Sequence, residues 1–186
     1  MNKISVVVPC FNEEEVLSVF YKKTSEVLNE IEDITYELLF VDDGSKDHTK
    51  DILRALSLKD EHCEFISFSR NFGKEAAMFA GLKKSSGNYV VIMDADLQHP
   101  PVYIPQMVEL WTAGAEIVLS RRVDNLATGK IYNFCSAVFY KILNWLSDTK
   151  IPAKSPDFRL IDRRYVDFLK GFNEHDRLFR GLLNWI

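Results

Sequence analysis

Two carboxylates follow a buried strand in the segment VVIMDADLQHPP, which runs from Val90 to Pro101. Asp94 and Asp96 stand one residue apart, and like charges at this spacing repel unless a positive group lies between them. A strand directs alternate side chains to one side, so both carboxylates can share one ligand if the backbone stays extended. Mg²⁺ and Mn²⁺ take carboxylate oxygens as ligands. The pattern indicates a divalent metal site, and the alternative is a pair of solvated turn residues.

The elements that must position these carboxylates alternate between strand and helix. The first strand is predicted at Ile4–Val8, where Pro9 ends it, and Glu13–Glu15 read as the acidic first turn of the following helix. Further strands are predicted in YELLFVDD, CEFISFS, YVVIMD and EIVLS. Strands that are apolar on both faces and alternate with helices predict an α/β, Rossmann-like fold with a mostly parallel central sheet and helices on both faces.

Polar residues gather where these strands end. PCFNE ends the first strand, VDDGS the second and DADLQ the fourth, and SRR follows the fifth. In open α/β sheets, ligands bind beyond the carboxyl ends of the strands. The sequence therefore predicts one ligand site at this edge of the sheet.

Composition excludes several classes of function. The 186 residues suffice for one domain with a core, and a formal charge of -4 without a basic stripe argues against a nucleic-acid partner. Three widely spaced cysteines without a CxxC pair predict neither a zinc site nor a disulfide framework. A signal-peptide pattern and a run of eighteen apolar residues are both missing from the sequence.

The motifs disfavour three other functions that are common among α/β proteins. The eight glycines contain no GxGxxG, which disfavours a dinucleotide-binding dehydrogenase, and NFGKEA lacks the pattern of a P-loop. A receiver-like signalling domain also groups aspartates around magnesium. Its acidic pair normally follows the first strand, whereas the pairs here follow the second and fourth, so it is kept as the remote non-enzymatic alternative.

Five ordered segments carry a resemblance to a known family: VVPCFNEEE, VDDGSKDHT, SRNFGKEAAMFAGL, DADLQHPP and DFRLIDR. They resemble the family 2 glycosyltransferases, which have the GT-A fold, and within that family the polyprenyl-phosphate hexosyltransferases of the bactoprenol glucosyltransferase and dolichyl-phosphate mannose synthase type. The segments span nearly the whole chain. The resemblance implies an inverting enzyme that moves a hexose from a nucleoside diphosphate sugar, UDP-linked or GDP-linked, to a polyprenyl phosphate.

The resemblance also assigns roles to residues at the strand ends. Asp94, Asp96 and Gln98 would hold Mg²⁺ or Mn²⁺, Asp96 would serve catalysis through this metal, and His99 is read as a loop residue. The nucleotide-sugar donor would be bound by Pro9, Phe11, Glu13, Asp43, Lys74, Asp94, Arg121 and Arg122. Lys74 could face the diphosphate or pair with a motif aspartate, Asp42 supports its turn, and one of the two arginines could be a surface charge.

Asp157 and Arg159 lie in the last motif, PDFRLIDR. The resemblance makes Asp157 an active-site carboxylate and places Arg159 near the phosphates. Pro156 stands where relatives often have glycine, and its fixed φ affects the placement of Asp157. A lipid phosphate is largely dianionic at neutral pH, because its second pKa is about 6. Asp157 would then position groups, whereas a sugar hydroxyl acceptor would require it as general base.

The partners and location follow from the same resemblance. The whole chain, 1–186, is predicted to be one GT-A catalytic domain that stops before a C-terminal membrane region, soluble as given and working at the cytoplasmic face of the membrane. An apolar helical stripe at 131–146 is read as core, with membrane or partner contact as the alternative. A soluble saccharide acceptor and a homo-oligomer both stay open.

Overall fold

The computed structural model describes residues 1–120 and 158–171. Its centre is a six-stranded sheet in the order β3-β2-β1-β4-β6-β5. β1, β2, β3 and β4 are parallel, and β6 runs antiparallel to both of its neighbours, so β5 runs in the same direction as the first four strands. The strands are β1 (Asn2–Cys10), β2 (Ile34–Asp42), β3 (Cys63–Ser67), β4 (Tyr89–Ile92), β5 (Ile117–Leu119) and β6 (Arg159–Asp162).

Helices cover both faces of this sheet. On one face, the first helix packs against the second and the fourth. On the other face, the third helix packs against β1, β2 and the last helix. The helices are α1 (Leu17–Asn29), α2 (Thr49–Lys59), α3 (Lys74–Lys84), a 3₁₀ turn (Pro101–Tyr103), α4 (Ile104–Thr112) and α5 (Arg163–Lys170).

The two faces of β1 show why this architecture forms. Val6 and Val8 lie in the larger apolar cluster beside α1, α2 and α4, whereas Val7 belongs to the cluster under α3 and α5. All three side chains are fully buried. A strand that is buried on both faces reads as a continuous apolar run, which is typical of parallel sheets between helix layers. The predicted α/β fold class is confirmed.

The sequence predicted that Pro9 ends β1, but the strand continues to Cys10. Pairing between β1 and β4 stops at Val7, whose carbonyl accepts the last bond on that side from Met93 N–H, at 3.1 Å. The position of Pro9 that lacks an N–H faces this same side, beyond the end of β4. A proline is tolerated in a strand where no ladder hydrogen bond is lost.

The first helix also begins later than predicted. Glu13–Glu15 precede α1, which starts at Leu17 and has no acidic residue in its first turn. The carbonyl of Glu13 accepts hydrogen bonds from the N–H groups of Val16 and Leu17, at 3.1 and 3.0 Å. This turn lengthens the connection between β1 and α1, so Glu13 is available to the strand-end site and does not stabilise a helix dipole.

A polar network joins neighbouring strands near their amino-terminal ends. The carboxylate of Glu37, on β2, accepts hydrogen bonds from Lys3 Nζ at 2.6 Å and Ser5 Oγ at 2.5 Å, both on β1. It also accepts from the N–H and Oγ of Ser86, at 2.7 and 2.9 Å, in the loop before β4. Glu37 thus joins the amino-terminal halves of β1 and β2 to the segment that leads into β4.

The predicted helical segment at 131–146 lies outside the described residues. Within residues 1–120 and 158–171, every helix is too short or too polar to cross a bilayer. The segment DFRLIDRRYV forms β6 and the start of α5.

Candidate functional site

A cavity of about 360 Å³ opens at the carboxyl ends of β1, β2 and β4. It brings together most of the residues predicted for the donor and the metal, which come from four separate segments of the chain. Its lining residues are Pro9, Cys10, Phe11, Glu13, Asp43, Asn71, Gly73, Lys74, Asp94, Ala95 and Asp96.

The two aspartates of DADLQ share one side of this cavity, but not through an extended backbone. β4 ends at Ile92, and Asp96 lies in a turn. Leu97 has a φ of 58°, which is unusual for a residue other than glycine, and the N–H of Gln98 donates to Asp96 Oδ1 at 2.9 Å. Such backbone strain is found often at binding sites. The turn, and not the strand, directs both carboxylates to the same place.

The acidic pair and a histidine form a group suited to a divalent cation. One ligand atom each from Asp94, Asp96 and His99 lie within 4.8 Å of one another. Two carboxylates supply the hard oxygen ligands that Mg²⁺ and Mn²⁺ prefer, and an imidazole nitrogen is compatible with Mn²⁺. His99 was predicted to be a loop residue, although the spacing D-x-D-x-x-H across a tight turn could have indicated this role. Gln98 lines a neighbouring cavity, and its metal role stays a prediction.

Lys74 pairs with a motif aspartate, which is one of the two roles that the sequence left open. Its Nζ lies 2.6 Å from Asp94 Oδ1 and 2.7 Å from Oδ2, so the ammonium contacts both oxygens of the carboxylate. Lys74 is the first residue of α3, where the helix N-terminus also favours anions.

Asp43 holds the loop that precedes α3. It is buried, and its two oxygens accept hydrogen bonds from the N–H groups of Phe72 and Gly73, at 2.7 and 2.9 Å. Gly73 has a φ of 98°, which favours glycine. Each oxygen keeps a further lone pair, so these bonds leave room for the predicted contact of Asp43 with a base or ribose, which stays a prediction. Asp42 accepts from Ser45 N–H at 2.9 Å and Ser67 Oγ at 2.8 Å, and so supports its turn.

Gly44 provides a test of how this loop is positioned. Gly44 follows β2 and has a φ of 71°. A Cβ there would lie 2.4 Å from the carbonyl carbon of Arg70, in the loop that precedes α3. We expect Gly44→Ala to cost about 1–3 kcal/mol for the clash, in addition to about 1–2 kcal/mol for its left-handed backbone. Gly114→Ala is the control, because Gly114 has a φ of 104° with open space around it. Urea unfolding of both variants measures the difference, and equal losses would contradict the expected clash.

Glu13 and Phe11 also line the cavity. The backbone N–H of Glu13 donates to Thr49 Oγ1 at 2.8 Å, which fixes its position. Partial burial and then the nearby carboxylates of Asp96 and Asp94 raise the pKa of Glu13, whereas Lys74 lowers it. The aromatic ring of Phe11 is 40% exposed and offers a stacking face.

Cys10 also lines the cavity and was not predicted as a site residue. Burial raises the pKa of its thiol well above the ordinary value. A neutral thiol is a poor nucleophile and a poor metal ligand. Cys10 therefore contributes an uncharged wall beneath the site.

The remaining predicted residues are not brought into this cavity by the described part of the chain. Arg159 is buried in β6, at a position paired with Ile92 of β4 and Leu119 of β5. Arg121, Arg122 and Asp157 lie outside the described residues. Their roles stay predictions.

The fold is that of the GT-A glycosyltransferases. A mannosyltransferase from Pyrobaculum calidifontis, solved with GDP-Man and Mn²⁺, is similar with a TM-score of 0.65 and 20% identity over 97% of this chain and 50% of that one. Glucosyl-3-phosphoglycerate synthase from Mycobacterium tuberculosis, solved with Mn²⁺, UDP and phosphoglyceric acid, gives a TM-score of 0.61 and 24% identity over 88% of this chain and 56% of that one.

The sequence matches the family described as glycosyl transferase family 2 over residues 5–169, and the chain belongs to this family. The match excludes the receiver-like alternative. A bactoprenol glucosyl transferase of Shigella phage SfV is 44% identical over 99% of this chain and 60% of that protein. A prophage bactoprenol glucosyl transferase homologue of Escherichia coli K12 is 42% identical over the same shares. The chain thus spans about 60% of the length of these relatives.

Proposed function

We propose that the protein is an inverting glycosyltransferase that moves a hexose from a nucleoside diphosphate sugar, with UDP favoured over GDP, to a polyprenyl phosphate. The observation that carries this proposal is the cavity in which Asp94 and Asp96 face Lys74, Glu13 and an exposed aromatic ring. The identity of 42–44% to bactoprenol glucosyl transferases supports the polyprenyl acceptor.

Donor binding is assigned to the walls of the cavity. Phe11 stacks on the base, Glu13 accepts a hydrogen bond from the base or a sugar hydroxyl, and Pro9 closes the wall beside them. Asp43 holds the loop of Gly73, and it contacts the base or ribose with its remaining lone pairs. Asp94 and Asp96, with His99 or Gln98 as a third ligand, would hold the cation, Mg²⁺ or Mn²⁺, which would neutralise the departing diphosphate as a Lewis acid.

The transfer itself is a single displacement at the anomeric carbon. A phosphate oxygen of the acceptor forms the new bond to this carbon while the bond to the donor diphosphate breaks, and the diphosphate leaves with the electron pair. The dianionic acceptor needs no deprotonation, so Asp157 positions groups and is not a general base. Arg159, Arg121 and Arg122 are proposed to face the phosphates, for which a guanidinium is well suited.

Location follows from the acceptor. A polyprenyl phosphate is held in a membrane, so the enzyme is proposed to act at the cytoplasmic face. A homo-oligomer is compatible with this arrangement but is not required by it.

Calorimetric titration with UDP and GDP, each with and without Mn²⁺, tests the donor half of this proposal. We expect one nucleotide, UDP first, to bind at least tenfold more tightly when Mn²⁺ is present, because the diphosphate and the two aspartates share the cation. Binding that does not depend on the metal would contradict the site. Extraction of labelled sugar into butanol, from bactoprenyl phosphate or dolichyl phosphate, tests the acceptor half. Transfer to a soluble saccharide alone would favour the alternative acceptor.

A further inference from the structure

The ammonium of Lys74 stands where a divalent cation would bind Asp94. Its Nζ is within 2.7 Å of both carboxylate oxygens, so the lysine presents donors to the lone pairs that a metal would use. We propose that Lys74 is a positioning residue that holds Asp94 until cation and diphosphate arrive together, and so couples the binding of one to the other. This inference rests on the proposed function, because it requires a diphosphate ligand.

Charge balance is the first argument for this exchange. The cavity gathers the carboxylates of Glu13, Asp43, Asp94 and Asp96. Among the described residues that line it, Lys74 is the one cationic side chain. A cation that reached Asp94 without a nucleotide would have to displace this ammonium, and would leave two positive groups close together.

The structure allows the lysine to move without its backbone. Lys74 begins α3, and the preceding Gly73 is fixed by its N–H bond to Asp43. The flexible four-carbon stem of a lysine lets its ammonium reach a new partner from a fixed Cα. The side chain is 41% exposed, so open space adjoins it.

The diphosphate is the partner that would receive the displaced ammonium. It enters the same cavity, and its negative charge would replace the Asp94 carboxylate as the partner of Lys74 once the cation binds Asp94. The N-terminus of α3 adds backbone N–H groups that favour an anion beside Lys74. Cation and diphosphate would each remove an obstacle to the other, which is positive coupling between two ligands.

Lys74→Met tests the exchange, with Lys83→Met as the matched control, because Lys83 lies on the same helix over the ring of Phe79. Titration with Mn²⁺ alone, followed by electron paramagnetic resonance of the free ion, gives the nucleotide-free affinity. We expect Lys74→Met to tighten it about tenfold or more, and Lys83→Met to leave it unchanged. Lys74→Arg retains the charge, and we expect it to keep the weak affinity of the wild type.

The second reading is the factor by which UDP or GDP tightens Mn²⁺ binding. We expect a factor well above one for the wild type and Lys74→Arg, and a clearly smaller factor for Lys74→Met, in which only the shared cation couples the two ligands. Unchanged or weaker binding of Mn²⁺ alone in Lys74→Met would overturn the inference while leaving the donor site intact. A wild type whose Mn²⁺ affinity responds to neither nucleotide would overturn the proposed function itself.

Discussion

Asp96→Ala is expected to weaken Mn²⁺-dependent nucleotide binding by about 100-fold or more, since even the outer partners of metal ligands are worth about 10–100-fold. Asp96 is exposed, and its carboxylate accepts a hydrogen bond from Gln98 N–H within its own turn. The loss of one such bond costs about 1 kcal/mol of folding free energy, so the variant should fold.

Calorimetry of Asp96→Ala and Asp51→Ala separates the role in the site from the loss of a negative charge. Asp51 is an exposed aspartate in the first turn of α2 and is not among the residues that line the cavity. We expect Asp51→Ala to bind the nucleotide and Mn²⁺ as the wild type does. Wild-type affinity in Asp96→Ala would remove Asp96 from the metal site.

Glu37→Gln is expected to lower the free energy of unfolding by up to about 3 kcal/mol at neutral pH. Burial raises the pKa of Glu37, but hydrogen bonds from Lys3, Ser5 and Ser86 outweigh it and lower the pKa to about 2, from an ordinary value of 4.5. Each unit of such a difference is worth about 1.4 kcal/mol. Glutamine keeps the shape but loses the charge on which these contacts depend.

The pH dependence has a defined direction. Because the pKa of Glu37 is lower in the folded state, its contribution is complete above pH 4.5 and is lost as the pH falls towards about 2. The difference in stability between the wild type and Glu37→Gln should therefore be largest at pH 7 and shrink steadily below pH 4.5. Urea unfolding at several pH values between 7 and 3 measures this trend.

Glu64→Gln provides the matched control for the stability experiment. Glu64 is a glutamate of the neighbouring strand β3, and its partner Lys84 lies 3.3 Å away with both side chains more than half exposed. An exposed pair of this kind is worth less than about 1 kcal/mol. Equal losses in Glu37→Gln and Glu64→Gln, or a difference that does not vary with pH, would contradict the role assigned to the Glu37 network.

The order of strands and helices could be predicted from the sequence, because burial on both faces leaves continuous apolar runs such as Val6–Val8. The edge that carries the site followed from parallel strands, whose carboxyl ends meet on one side. The family resemblance supplied the remaining roles. Five ordered segments were enough to identify the family, and the match over residues 5–169 confirms it.

Side-chain partners were harder to predict, because periodicity carries no information on contacts between distant residues. Lys74 and Asp94 are twenty positions apart, and only the fold brings them together. The turn at Leu97, which directs Asp94 and Asp96 to one place, left no signal, since its residue is not a glycine. Pro9 was misread because its effect depends on where the neighbouring strand ends.

The antiparallel direction of β6 has a consequence for how such enzymes diversify. β5 ends, and β6 begins, at the edge that carries the site, and Ser120 donates from its N–H and Oγ to the carbonyl of Phe158, at 3.1 and 2.9 Å. Residues 121–157 are therefore inserted between two points that the sheet already holds together. A doubling of such an insertion costs only about 0.6 kcal/mol. Natural selection can therefore change this segment in length or sequence without moving the ends of β5 and β6 or the sheet beneath the site.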